Sequence, residues 1–202
     1  MRNIIFVLLI FSIFSCEKKN EKTDANNLKD DSKTEIKSDN NTRESQNITV
    51  NFEEAVNSLK KFRQAVYQND NQVIKEFIDF PVNSDEIWYL TGEENHKKAA
   101  FTEKDFDKYQ SKIFDKMFIQ ALLKVKTKEL AEKGKYTTED LKDGDSTYEM
   151  SASFEKPNTL KLSLGVTNYI ENEDWSEEYG IIYIFEILKN GNIKFRNIQE
   201  VG

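Results

Sequence analysis

Apolar residues recur at helical spacing from residue 52 onward. Steps of three and four residues bring six apolar side chains to one face, which predicts a helix over 52–67. Asn51 can cap this helix, and Glu54 stands three residues later, as in a capping box. The chain therefore begins its folded part with an amphipathic helix.

Shorter elements are predicted next. A second helix over Asn71–Asp79 is ended by Phe80 and Pro81, because a residue before proline is pushed out of the α region. The apolar run within Glu86–Leu90 predicts a short strand, and a second short strand is predicted near Lys98–Phe101.

A longer helical stretch begins after these. Thr102 with Asp105 three residues later is a helix start, and the apolar stripe that follows predicts one long helix over Glu103–Val125. Residues 126–146 are polar and contain two glycines. We expect a loop there, with helical turns near Glu129–Lys133.

The last third of the chain changes to a period of two. Apolar and polar residues alternate over 148–154 and over 160–166, which predicts two antiparallel strands with one buried face. A third strand is predicted over Tyr179–Leu188. The pair Asn190-Gly191 then predicts a hairpin turn into a returning strand that begins near Ile193.

Helices followed by long antiparallel strands define an α+β domain over 51–202, with N-terminal helices packed on a curved sheet. This order resembles the nuclear-transport-factor-2-like superfamily, also called SnoaL-like or cystatin-like. The resemblance rests on the first helix, the Phe80-Pro81 break, the helix start at Thr102 and the closing hairpin at Asn190-Gly191. It implies a cone-like fold with an internal cavity.

The N-terminus is a separate apolar segment. Positions 4–14 are apolar except for Ser12. This apolar segment is shorter than the ~20 residues needed to cross a bilayer, and its length is typical of a secretory leader. The segment ends Ile13-Phe14-Ser15-Cys16, which resembles the lipobox of bacterial lipoproteins. The resemblance implies cleavage after residue 15 and lipidation of Cys16. The competing interpretation is a plain secretory leader with an incidental cysteine.

Residues 17–50 join the leader to the domain. They hold 7 Lys and Arg, 8 Asp and Glu, and no aromatic residue, glycine or proline. Such a segment cannot bury enough apolar surface to offset its ordering entropy. We therefore divide the chain into a signal peptide (1–15), the lipidated cysteine with a disordered charged tether (16–50), and the α+β domain (51–202).

Composition narrows the chemistry. The net charge of −7 disfavours a nucleic-acid partner, because binding a duplex depends on Lys and Arg that neutralise phosphates. Cys16 is the only cysteine and His96 the only histidine, so a disulfide within the chain and a cysteine metal cluster are excluded. We predict no metal and no cofactor.

Enzymes of the resembled superfamily, such as relatives of ketosteroid isomerase and scytalone dehydratase, place Asp or His inside the cone for proton transfer. The acids and bases considered for this role are His96, Asp79 and Asp105. The sequence shows no His-Asp or Tyr-Asp pairing, so we assign no catalytic residue. If a cavity exists, its predicted lining residues are Trp88, Tyr109, Tyr183 and Asp79.

An acidic loop with a tryptophan in its middle is the other candidate. Trp175, Glu173 and Asp174 form its centre, and tryptophan is over-represented at interface hot spots. We predict a contact site for a basic partner there, against the simpler interpretation of a solvated loop whose Trp175 packs onto the core. The 51–202 domain holds 21 Lys and Arg against 28 Asp and Glu, so the acidity belongs to the domain.

Three functions follow. The first is a non-enzymatic binding protein of the bacterial cell envelope, held by Cys16 on the periplasmic or surface face of the outer membrane, with a protein or small ligand as partner. The second is a small-molecule-binding or hydrolytic enzyme that uses the cone cavity. The third is an immunity-type lipoprotein that binds a basic toxin through its acidic face.

Overall fold

The described chain begins with helices, as the apolar spacing predicts. The computed structural model describes residues 51–93, 99–155, 157–170 and 175–202. None of the helices found there is long and apolar enough to cross a membrane. They are α1 (Phe52–Gln68), α2 (Asn71–Lys75), α3 (Asp85–Thr91), α4 (Glu103–Ile113), α5 (Lys116–Lys124) and α6 (Thr127–Lys133).

An antiparallel sheet follows, which confirms the predicted α+β class. Its strands are β1 (Lys135–Thr137), β2 (Leu141–Asp143), β3 (Ser146–Glu155), β4 (Thr159–Tyr169), β5 (Ser176–Ile187) and β6 (Ile193–Val201). The order across the sheet is β1-β3-β4-β5-β6, and β2 also pairs with β3. The three long strands predicted from the period of two, and the hairpin at Asn190-Gly191, are confirmed. Gly191 takes the positive φ of 82° that this turn needs.

Both predicted helix starts are confirmed by their hydrogen bonds. The Asn51 side chain accepts from the Glu54 amide at 3.2 Å at the start of α1. At the start of α4, the Thr102 amide donates to Asp105 at 2.9 Å, and the Asp105 amide donates to the Thr102 hydroxyl at 3.3 Å. These reciprocal bonds satisfy amides that a helix end otherwise leaves without partners.

The strand predicted over Glu86–Leu90 is wrong, because these residues belong to helix α3. Acidic side chains at the first turn favour a helix start through the helix dipole, and Gly92 ends the helix in the left-handed conformation. The buried residues are Ile87, Trp88 and Thr91, a helical spacing rather than alternation. Of the second predicted short strand, Phe101 makes only an isolated bridge to Val82, and Lys98 lies outside the described residues.

The single helix predicted over Glu103–Val125 is also wrong, since the chain breaks between α4 and α5. Phe114 leaves the helical conformation, and the Asp115 side chain accepts from the Phe118 amide at 2.8 Å to start α5.

The 126–146 region is not only a loop. It holds α6, which contains the predicted helical turns, and the short strands β1 and β2, whose polar sequences reflect their exposed position at the sheet edge. The predicted second helix is shorter than expected, ending at Lys75.

An aromatic core joins the helices to one face of the sheet. Tyr183 of β5 is buried there, and its hydroxyl donates to the Ile113 carbonyl at 2.9 Å. At the centre of this core is Phe114, whose ring centroid lies within 6.3 Å of those of Phe62, Phe106, Phe118, Tyr183 and Phe195. Dense aromatic packing of this kind stabilises the domain through buried apolar area and ring contacts.

A bulge in β6 supports an ion-pair cluster at the sheet edge. Ile184 pairs with Asn197 and Phe185 with Phe195, so Arg196 is the inserted residue. Arg196 donates from Nη1 to Asp79 at 2.7 Å and from Nη2 to Glu186 at 2.6 Å. Lys194 also reaches Asp79, at 2.9 Å.

Asp79 gives the edge cluster a pH dependence that can be measured. The hydrogen bond from Lys194, followed by that from Arg196, holds the pKa of Asp79 below its ordinary value of 3.8. A lowered pKa contributes stability above the ordinary value, and this is lost as pH falls through the lowered one. We expect Asp79→Asn to reduce the free energy of unfolding near neutral pH by less than about 1 kcal/mol, because the pair is half exposed.

The difference between the wild type and Asp79→Asn should be smaller at about pH 2 than near neutral pH, because protonation of Asp79 removes the charge that Asn lacks. Urea unfolding at the two pH values checks this. Asp140→Asn is the control, because the Asp140 carboxylate makes no ion pair within the described ranges. A difference of the same size at both pH values would contradict the assignment.

Candidate functional site

A groove crosses the face of the sheet that is turned away from the helices, here called the open face. Side chains on this face alternate with those of the core and are half-buried or exposed. The groove has a volume of about 630 Å³ and lies towards the end of the sheet where β4 turns into β5. The register of strands β3 to β6 determines the position of the groove.

Two glycines form the floor of the groove. Gly165 of β4 and Gly180 of β5 are directly paired, Glu149 of β3 pairs with Gly165, and Val201 of β6 pairs with Gly180. Neither glycine has a positive φ, so the backbone does not require glycine at these positions. The missing side chains therefore shape the surface by leaving bare backbone between Glu149 and Val201.

Among the residues that the structure describes, three carboxylates and no cation line this groove. Glu149, Glu178 and Asp140 are among its described lining residues, which include no lysine, arginine or histidine. Within the ranges the structure describes, none of the three makes an ion pair or side-chain hydrogen bond. Unpaired charges of one sign in a concave surface create a potential that attracts the opposite charge. The groove is therefore suited to a cationic ligand.

Exposed aromatic side chains stand at the same end of the sheet. Tyr169 ends β4 and is 58% exposed, while Trp175, 57% exposed, directly precedes the first residue of β5. Tyr169 pairs with Ser176 in register, so the two aromatic residues flank the same hairpin end. Such side chains can add apolar and cation–π contacts to a cationic partner.

Tyr179 borders the groove with its strand, but its side chain lies on the core face of β5, like those of Tyr183 and Phe185. Its pKa is raised, first by partial burial and then by the negative charges of Asp115, Glu177 and Glu200. The neutral phenol is therefore the form present at physiological pH.

The residues predicted for a basic partner lie only partly in the described structure. Trp175 is exposed, so its side chain does not pack on the core as the simpler interpretation expects. Glu173 and Asp174 lie outside the described residues, as do His96 and Cys16. Their roles stay predictions.

The four residues predicted to line a pocket are not brought around one cavity within the described chain. Tyr183 is packed in the aromatic core, and burial raises the pKa of its hydroxyl well above the ordinary value. Trp88 and Tyr109 lie together, with ring centroids 6.3 Å apart; the Trp88 indole donates to the Ala99 carbonyl and the Tyr109 hydroxyl to Glu93. Asp79 belongs to the ion-pair cluster at the sheet edge. Asp105 is engaged in the α4 capping box.

Sequence reasoning missed Glu149, Glu178 and the two floor glycines. Alternation placed Glu149 and Gly165 on the polar face of their strands, but it did not show that they are paired. Groups of three or more His, Cys, Asp or Glu residues able to hold a metal ion are absent from the described part of the chain.

Comparisons with known proteins add a weak structural similarity. Neither the protein-family models nor the curated proteins yield a match. Among solved structures, the chain is weakly similar to a crystal structure of a "putative ketosteroid isomerase" from Shewanella frigidimarina. The TM-score is 0.30 at 12% identity, over 73% of this chain and 94% of that one.

Proposed function

We propose that this chain is a lipid-anchored binding protein of the bacterial cell envelope, and that the groove on its open face binds a basic partner. The observation that carries the binding part is the groove itself, which has a volume of about 630 Å³ and is lined, in the described part of the chain, by three carboxylates and no cation. Its role is non-enzymatic. The partner is a protein or a small ligand rich in amines or guanidinium groups.

The sequence supports the anchoring part. A short apolar leader ends at the only cysteine of the chain, at the position that a lipobox requires. Two or more acyl chains hold a protein stably on a membrane, whereas a single chain binds only marginally. The charged segment 17–50 then links the domain to the anchor, with a root-mean-square span of roughly 30 Å for a flexible chain.

The packing of the core favours binding at the outer surface over a reaction inside a cone. The buried face of the sheet is filled by aromatic side chains such as Phe114, Phe118 and Phe185, each at most 1% exposed. The order of helices and strands over 51–202 supports membership of the nuclear-transport-factor-2-like superfamily. Binding on the open face leaves that core intact.

Opposite charge accelerates the encounter, and the exposed aromatics then contribute contact area. Long-range attraction raises the association rate and weakens as salt increases. Tyr169 and Trp175 provide rigid apolar surface next to the carboxylates. A basic toxin, held by an immunity-type lipoprotein, is one partner that has this chemistry.

Charge reversal in the groove tests the proposal. We expect Glu178→Lys to weaken the binding of a short lysine-rich peptide to the full chain by about five- to thirtyfold at low salt, since an attraction of about 1 kcal/mol becomes a repulsion. Fluorescence anisotropy of the labelled peptide, titrated at several salt concentrations, gives the affinity. The effect should shrink as salt rises.

Glu132→Lys is the matched control, because it changes the net charge equally but lies on α6, on the helical side of the sheet. It should change the affinity less than twofold. If both variants weaken the peptide equally, attraction by total charge explains the binding and the groove is not the site.

A further inference from the structure

We propose that a basic surface on the helical side rests on the anionic lipid headgroups of the membrane that carries the anchor. This surface, here called the basic corner, consists of Lys60, Arg63, Lys124 and Lys128 around the exposed Leu123. The inference depends on the proposed lipidation of Cys16, because the anchor brings the domain to the membrane.

Backbone geometry gathers these cations from three helices. Arg63 of α1 donates from Nη1 to the Val125 carbonyl at 2.9 Å, which fixes α1 against the junction of α5 and α6. Lys60 lies one helical turn before Arg63. It shares a groove of about 410 Å³ with Lys128 of α6. Lys124 ends α5, directly before Val125.

The cations of the basic corner have no carboxylate partner within the described ranges. Lys60 reaches only the Asn57 side-chain amide, at 3.4 Å. Neighbouring lysines differ, since Lys126 and Lys133 both form ion pairs with Glu129. Glu53 and Glu132 also line the α1–α6 groove.

An exposed apolar side chain directly precedes Lys124. Leu123 is 39% exposed and precedes Lys124 in α5. Tyr67 is 61% exposed and lies one turn beyond Arg63 on α1. A leucine and a tyrosine with flanking lysines suit a lipid interface, where lysine stems lie along apolar surface and their ammonium groups reach the phosphates.

The start of the domain and the charges of its two sides agree with this orientation. The chain leaves towards Cys16 at Asn51, directly before α1, and the first turns of α1 line the same groove as Lys60 and Lys128. The acidic groove lies on the open face, away from the helices, and an anionic lipid surface would repel it. With the basic corner on the membrane, the open face is presented to a partner.

Site-directed spin labelling of the lipidated full chain in vesicles tests this orientation. Leu123→Cys introduces a labelling site, and Cys16 is the only other cysteine. One label per chain means that the Cys16 thiol is blocked, as the anchor requires. Two labels per chain would contradict the proposed lipidation itself, whatever the label at 123 then shows.

We expect the label at position 123 to become accessible to oxygen and protected from a water-soluble nickel complex on vesicles containing phosphatidylglycerol. On pure phosphatidylcholine it should stay exposed to water. Each lysine near an anionic surface is worth about fivefold in partition. Lys124→Glu with Lys128→Glu should therefore abolish the protection on anionic vesicles.

A label at Tyr169→Cys, on the open face, is the control and should remain exposed to water on both kinds of vesicle. Equal exposure of position 123 on both kinds of vesicle would overturn the basic corner as a membrane contact. So would protection that survives the double charge reversal. Because anchoring is read from the number of labels, either result leaves the proposed lipidation standing.

Discussion

Cys16→Ala is expected to release nearly all of the protein from the membrane fraction. Each buried methylene of an acyl chain contributes about 0.8 kcal/mol, so losing two or more chains removes far more affinity than the basic corner supplies. Fractionation of cells that express the full chain, with a high-salt wash of the membranes, measures the effect. The wash removes protein that is held by charge alone.

Ser45→Ala, in the segment that precedes the domain, is the matched control and should fractionate with membranes like the wild type. If Cys16→Ala stays with washed membranes as well as Ser45→Ala does, Cys16 is not the anchor. The apolar leader itself would then hold the protein on the membrane.

Phe114→Ala should cause the largest loss of stability among single substitutions in the domain. The side chain is 1% exposed and lies between helices α4 and α5 and strands β5 and β6 through its ring neighbours. Removing a buried phenylalanine costs about 3–5 kcal/mol, from lost transfer energy and the cavity that remains. Urea unfolding of the full chain, followed by circular dichroism, gives the difference.

Tyr67→Ala provides the comparison, because Tyr67 is an aromatic residue that is mostly exposed on α1. It should change the free energy of unfolding by about 0.5 kcal/mol or less. A cost below about 1 kcal/mol for Phe114→Ala would mean that Phe114 is not at the centre of a packed core.

Strands with one buried face were the part of the fold that the sequence predicted most directly. The alternation over 148–154 and 160–166 is a direct consequence of side chains that point to opposite faces of a sheet. The hairpin at Asn190-Gly191 was accessible for a similar reason, since few residues besides glycine tolerate its positive φ.

Short elements were harder to predict, because tertiary contacts determine their conformation. Helix α3 has a run of β-forming residues, yet the bond from the Trp88 indole to the Ala99 carbonyl and the Gly92 cap hold it helical. The break at Phe114 was hidden by an apolar stripe that continues across it. Its cause is a side chain that turns into the aromatic core.

The groove depends on register, which a single sequence does not reveal. Gly165 and Gly180 are 15 positions apart and meet only because β4 and β5 pair as they do. A shift of one residue would move every side chain of a strand to the other face. The sequence indicates an acidic loop around Trp175 but does not decide whether this side chain packs on the core or is exposed. Glu149 and Glu178 become candidates only once the register shows that they border the same groove.

Native mass spectrometry of the protein, extracted gently from its own membranes, tests the central claim most directly. The account predicts a chain that begins at Cys16, carries acyl chains, and holds a basic protein or peptide that dissociates as salt is raised. A chain that keeps residues 1–15 without acylation would contradict the anchor. A neutral small molecule retained at high salt would contradict binding through the acidic groove.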